Sequence, residues 1–156
     1  YNIDGGTAEE IVIGAVGCDR WEVQILGKAE HAGLAPEKGL SASMIASLAL
    51  SDAKNKGWFG KISKENKSGT SNIGIFGEKN GKSAGASPNT VCEYTYIKGE
   101  SRSYDQDFVS EITNAFENSF NKVCNEYENS EGEKAKLTFK RHTDYYSLMK
   151  MKKLFL

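Results

Sequence analysis

One histidine is set apart by its surroundings in this chain of 156 residues. His31 lies in Gly27-Lys28-Ala29-Glu30-His31-Ala32-Gly33-Leu34-Ala35-Pro36-Glu37-Lys38-Gly39, where glycines and a proline interrupt any regular element. Such a stretch reads as a loop from which a side chain projects freely. The imidazole there is either an ordinary surface histidine or a hydrogen-bonding group offered to a ligand. Asn89 and Arg102, thirteen residues apart, stand at the two ends of a predicted strand. An amide and a guanidinium near one site would suit a carboxylate or a peptide carbonyl. Asp4, in Ile3-Asp4-Gly5-Gly6, has by itself the look of a turn-forming aspartate before two glycines.

The signatures of self-sufficient catalysis are missing. The chain carries no His-Glu-x-x-His and no Gly-x-Ser-x-Gly, and no Cys/His pairing falls at a recognisable site. With His31 and His142 as the only histidines, a metal cluster is hard to assemble from this chain alone. Gly77-Glu78-Lys79-Asn80-Gly81-Lys82-Ser83 resembles a phosphate loop but has three residues between its glycines where four are needed. It is expected to be a hairpin turn. Lys56-Gly57-Trp58-Phe59-Gly60 echoes an RNA-binding aromatic strand only faintly.

Composition narrows the class further. Charged residues make up 26% and hydrophobic ones 38%, which is globular, and the length suits one core. A formal net charge of -1 offers no basic surface for phosphate backbones, so nucleic acid is not an expected partner. No run approaches the length of a membrane span, and none of the opening residues reads as a signal peptide. Cys18, Cys92 and Cys124 are odd in number and far apart, so reduced, mostly buried thiols in a cytoplasmic protein are expected. The chain opens at Tyr1 without a methionine, which reads as a piece of something longer. The basic, apolar end from Met149 to Leu156 reads as a boundary rather than a membrane anchor.

The periodicities supply the elements that must position these residues. Trp21, Val23 and Ile25 alternate with Glu22 and Gln24, predicting a half-buried strand over residues 20–27. Met44, Ile45, Leu48 and Ala49 form a helical stripe within residues 40–54. Residues 55–68 are polar and read as a long surface excursion, followed by a strand over 71–76 whose open edge invites pairing. A third strand is predicted over 91–101, with Asn89 at its start and Arg102 at its end. Ser103 to Gln106 has capping-box spacing before an amphipathic helix carrying Phe108, Ile112, Ala115, Phe116, Phe120, Val123 and Tyr127. A last strand covers 134–141, with Ala135, Leu137 and Phe139 inward. The order is strand, helix, strand, strand, helix, strand. That predicts an α+β two-layer sandwich: a four-stranded antiparallel sheet with two helices on one face, a ferredoxin-like arrangement.

The histidine loop, the following helix, Thr70-Ser71-Asn72-Ile73-Gly74, Asn89 and Gly99-Glu100-Ser101-Arg102-Ser103 together resemble the small domain of the peptidase T, glutamate carboxypeptidase and aminoacylase family of di-zinc exopeptidases. The resemblance runs from about Tyr1 to about Tyr146. It implies residues 1–18 as strand and linker from a catalytic domain, 19–146 as a lid and dimerisation domain, and 147–156 as a tail returning toward the catalytic domain. It gives His31 the role of reaching across a homodimer to bind substrate and the oxyanion in the partner's active site. It gives Asn89 and Arg102 the role of a substrate clamp, and makes Asp4 a metal ligand in the complete enzyme only. Two zinc ions per active site are implied for the intact parent and none for this chain. The implied function is the dimerising, substrate-clamping lid of a peptidase T-like tripeptide aminopeptidase or a carboxypeptidase acting on short peptides or N-acyl amino acids, with hinge motion at Gly5-Gly6. The alternative is a free-standing ferredoxin-like module that binds a small ligand or a protein.

Overall fold

The computed structural model describes residues 16–77, 85 and 87–144. In chain order the elements are β1 (Gly17–Leu26), a 3-10 turn (Pro36–Lys38), α1 (Ala42–Asn55), β2 (Gly60–Lys64), β3 (Lys67–Gly77), β4 (Tyr94–Ser103), α2 (Gln106–Glu126) and β5 (Lys136–Asp144). They form one antiparallel sheet in the order β2-β3-β4-β1-β5, with both helices packed against each other and against β1 and β4.

Alternation along β1 sends Trp21, Val23 and Ile25 to the helical face, where all three are fully buried. Trp21 anchors the core. Its ring lies 4.8 Å from Phe116 and 5.7 Å from Phe139, centroid to centroid, and its indole N–H donates to Ser101 Oγ at 3.2 Å. The stripe read on α2 supplies Phe108, Ile112, Phe116, Phe120 and Val123 to the same core. Leu137 and Phe139 of β5, with Ala135 just before it, are half-buried against it. The opposite face of the sheet carries charge, including Glu22 with Lys98 and Glu100 with Arg102.

Three expectations are corrected. The sheet has five strands, not four, because residues 55–68 are not an excursion: they contain β2 and open β3. The hairpin escapes a search for alternation because Ile62 is the one apolar side chain that β2 sends inward; the rest of Gly60–Lys64 is polar or small. The four-stranded, ferredoxin-like arrangement therefore does not hold as stated. On α1, Ile45 and Ala49 are buried as expected, but Met44 is 50% and Leu48 43% exposed. The buried stripe is Ala42, Ile45, Ala46, Ala49 and Ala53, four alanines around one isoleucine that let the helix lie close to its neighbours. The cap of α2 is Asp105, whose carboxylate accepts from Phe108 N at 3.0 Å, while Ser103 Oγ accepts from Asp105 N.

Candidate functional site

The histidine loop leaves β1 at Leu26 and enters α1 at Ala42. Its base is a two-bond bridge: Lys28 N donates to Leu40 O at 3.1 Å, and Leu40 N donates to Lys28 O at 2.9 Å. Gly27 backs onto this bridge, where an added Cβ would stand 1.9 Å from Leu40 O, so no other residue fits without moving backbone. Further out, Val91 N donates to Glu30 O and Ala32 N to Asn89 O, both at 2.9 Å, and His31 pairs with Thr90. The antiparallel pairing of β1 with β4 thus resumes beyond the strands and carries the loop with it.

At the tip, Leu34 N and Ala35 N both donate to His31 O, at 3.0 and 3.1 Å. Gly33 N donates to His31 Nδ1 at 3.1 Å. With Nδ1 accepting, the neutral ring carries its proton on Nε2, a donor suited to a carbonyl oxygen or an oxyanion. His31 is exposed, and Leu34 beside it is 80% exposed. Asn89 is exposed next to this tip, and its Oδ1 accepts from Ser87 Oγ, which leaves the amide nitrogen as the end suited to donate. The structure brings His31 and Asn89 together. Asn89 lies in a turn before β4 rather than at the start of the strand.

Arg102 is elsewhere. It pairs with Cys18 at one end of the β1–β4 ladder, whereas Leu26 and Tyr94 pair at the other, and the histidine loop lies beyond that second end. Eight residue steps at a strand's rise separate Arg102 from Tyr94, about 27 Å. One copy of this chain therefore cannot apply His31 and Arg102 to one small ligand. Arg102 forms a two-pronged ion pair within its own strand, Nε to Glu100 Oε1 at 2.8 Å and Nη2 to Oε2 at 2.9 Å. Donating to the Glu100 carboxylate raises the guanidinium pKa above its ordinary value. A guanidinium has five N–H donors, so a second carboxylate can be taken alongside the first.

A second support of the loop gave no signal in the residue pattern. The turn between α2 and β5 closes through a Glu128–Lys134 bridge and presses on the far side of the histidine loop. Lys28 Nζ reaches Glu131 at 2.8 Å and Glu133 at 2.6 Å, and these two carboxylates raise its pKa. Lys28 in turn lowers the pKa of both glutamates.

Among the described residues no three His, Cys, Asp or Glu side chains lie close enough to hold a metal ion. The residues in view thus do not fit a zinc pair, and no chemical step through zinc is assigned to them. Asp4 and the Gly5-Gly6 hinge lie outside the described residues, as do most of the phosphate-loop look-alike and the tail from Ser147. No helix among the described residues is long and apolar enough to cross a membrane.

The sequence profile of the peptidase dimerisation domain matches residues 13–128, more than half of the chain. The chain belongs to the peptidase dimerisation domain family. The uncharacterized protein YqjE of Bacillus subtilis (strain 168) is 38% identical over 104 residues, covering 66% of this chain and 24% of that protein. The crystal structure of aminopeptidase PepT from Bacillus cereus ATCC 10987 superposes with a TM-score of 0.71 at 29% identity, covering 88% of this chain and 32% of that one. A tripeptidase from Staphylococcus aureus gives a TM-score of 0.57 at 28% identity, covering 83% and 30%. This dimerisation domain spans about a quarter to a third of the length of these relatives.

Proposed function

We propose that this dimerisation domain is the lid of a homodimeric, zinc-dependent exopeptidase for short peptides, and that it serves its partner's active site with His31 and Asn89. The likeness to an aminopeptidase and a tripeptidase supports the peptide substrate. The observation that carries the reading is the polarity of the sheet. Gly17, where β1 begins, and Asp144, where β5 ends, both lie at the Arg102 end, and His31 lies beyond the opposite end. A catalytic domain joined through both flanks sits at the Arg102 end, out of reach of its own histidine. A second copy, related by a two-fold axis, supplies the acceptor.

In this arrangement each active site takes Arg102 from one chain and the His31–Asn89 pair from the other. Arg102 holds a carboxylate of the peptide, and His31 Nε2–H with the Asn89 amide donates to the carbonyl under attack. The zinc ions belong to the remainder of the enzyme, with Asp4 as one ligand. Two surfaces suit self-association: residues 72–77 of β3, which extend past the end of β2 and carry exposed Ile75 and Phe76, and the outward Met44 and Leu48 of α1. The three cysteines form no disulfide, which suits a cytoplasmic setting.

The test uses mixed dimers of the complete enzyme with tri-alanine as substrate. His31→Ala and Arg102→Ala enzymes are each expected to lose about 100-fold or more in kcat/KM. Co-refolded together, they should recover about a quarter of wild-type activity, because half the dimers hold one site built from intact residues of both chains. No recovery on mixing would mean that both residues serve from the same chain, and the proposal would fall.

A further inference from the structure

The loop that carries His31 is held from two sides, and the side away from Asn89 converges on one side chain. Asn129 is buried, at 8% exposure, in a turn whose neighbours are mostly exposed. Its Oδ1 accepts from Glu131 N at 3.0 Å and from Glu133 N at 2.8 Å, which folds the turn upon itself. Its Nδ2 donates to Glu133 Oε2 and to Lys38 O, both at 2.8 Å. The second of these bonds leaves the turn and ends on the histidine loop, at the close of the 3-10 turn. Ser130 N donates to Glu37 O at 2.9 Å next to it, and Lys28 ties the loop's base to the same turn through Glu131 and Glu133.

We infer that Asn129 is a positioning residue for His31: its amide welds the α2–β5 turn to residues 37–38 and so sets where the histidine tip stands relative to the partner's site. The chemistry of the joint requires an amide. One group must accept two backbone N–H bonds within its own turn and donate to a carbonyl of another loop, which aspartate cannot do when ionised. The loop has few other means of holding its place, because residues 30–38 bury no side chain completely. Its pose depends on backbone pairing with 89–91 on one side and on this joint on the other. Displacement of a reacting group by about 1 Å can cost about 100-fold in rate, so a joint of this kind is felt at the site without touching substrate.

The inference rests on the reading of His31 given above, and a double-mutant cycle in the complete enzyme separates the two. Asn129→Asp keeps both acceptor bonds of the turn and replaces the donor to Lys38 O and Glu133 Oε2 with an oxygen that repels both. It is expected to lower kcat by about 10- to 100-fold with KM within about two-fold of wild type. On a His31→Ala background the same substitution should cost less than about two-fold, since a residue acting through His31 has nothing left to position. Equal losses on both backgrounds, or a folded Asn129→Asp enzyme with unchanged kcat, would overturn the inference alone. A His31→Ala enzyme with full activity would remove the reading of His31 and the inference together. Should Asn129→Asp not fold, Lys28→Met severs the exposed half of the same joint. It should lower kcat by about two- to five-fold on the wild-type background and not on His31→Ala; the same loss on both backgrounds, or none on the wild type, overturns the inference.

Discussion

Gly33 donates its backbone N–H to the imidazole of His31 two residues earlier, within a single turn. The bond decides which nitrogen is left to donate, since the neutral ring that accepts at Nδ1 must donate from Nε2. It also leaves little room. A Cβ on Gly33 would stand 3.3 Å from His31 Cε1 and 3.5 Å from Nδ1, so the ring must yield by a few tenths of an ångström.

Gly33→Ala should therefore leave the fold and the dimer intact and lower kcat of the complete enzyme by about three- to ten-fold, with KM nearly unchanged. Nitrogen-15 shifts of the His31 ring should report the Nε2–H tautomer in the wild-type domain. An Nδ1–H tautomer there, or wild-type turnover in the variant, would refute the role given to this bond.

The local features of the candidate site were legible in the sequence, and the limit falls at non-local pairing. Glycines and a proline around His31 announce a loop, because these residues interrupt both helix and strand patterns locally. The extended segment between Asn89 and Arg102 was legible too, although the strand itself starts only at Tyr94 and Asn89 lies in the turn before it. Its alternation already implied that the two residues sit at opposite ends of an extended segment, a consequence in conflict with a shared clamp in one chain. The backbone bond from Ala32 to Asn89 O could not be read, since it joins residues 57 positions apart with no side chain involved. Asn129 escaped for a related reason. An asparagine between glutamates before a glycine has the composition of any surface turn, and its burial depends on a loop 91 positions away.

Gly99 and Trp21 pack closely in the core. They are register partners on β4 and β1, and a Cβ at Gly99 would stand 2.4 Å from the indole ring, which is itself fully buried and packed against Phe116 and Phe139. A fully buried ring in contact with two others has little room to swing aside. Gly99→Ala should destabilise the domain by about 2 to 3 kcal/mol, read as a lower urea midpoint at an unchanged slope. A loss below about 0.5 kcal/mol would mean that the indole has room the packing does not suggest.

Asp52 joins the two helices and gives the domain an acid-sensitive seam. Its carboxylate accepts from Lys56 Nζ at 2.6 Å, from Ser119 Oγ at 2.7 Å and from Lys122 Nζ at 3.1 Å, so one α1 side chain is bonded to two on α2. The Lys56 bond first, and the Ser119 bond next, hold its pKa down from 3.8 to about 2. A carboxyl whose pKa is depressed on folding binds protons more weakly folded than unfolded, so it stabilises the fold above the unfolded value. That contribution is complete above about pH 4 to 5 and is lost as the pH falls through 4 toward 2. Asp52→Asn keeps a group that can accept from Ser119 but cannot titrate. At pH 7 it should melt below the wild type, and the gap should close as both are taken down to pH 2. Glu131 and Glu133, also depressed by Lys28, titrate in both proteins and cancel in the difference. Parallel melting curves across that range would show that the Asp52 bonds seen between the helices contribute nothing to the acid limb.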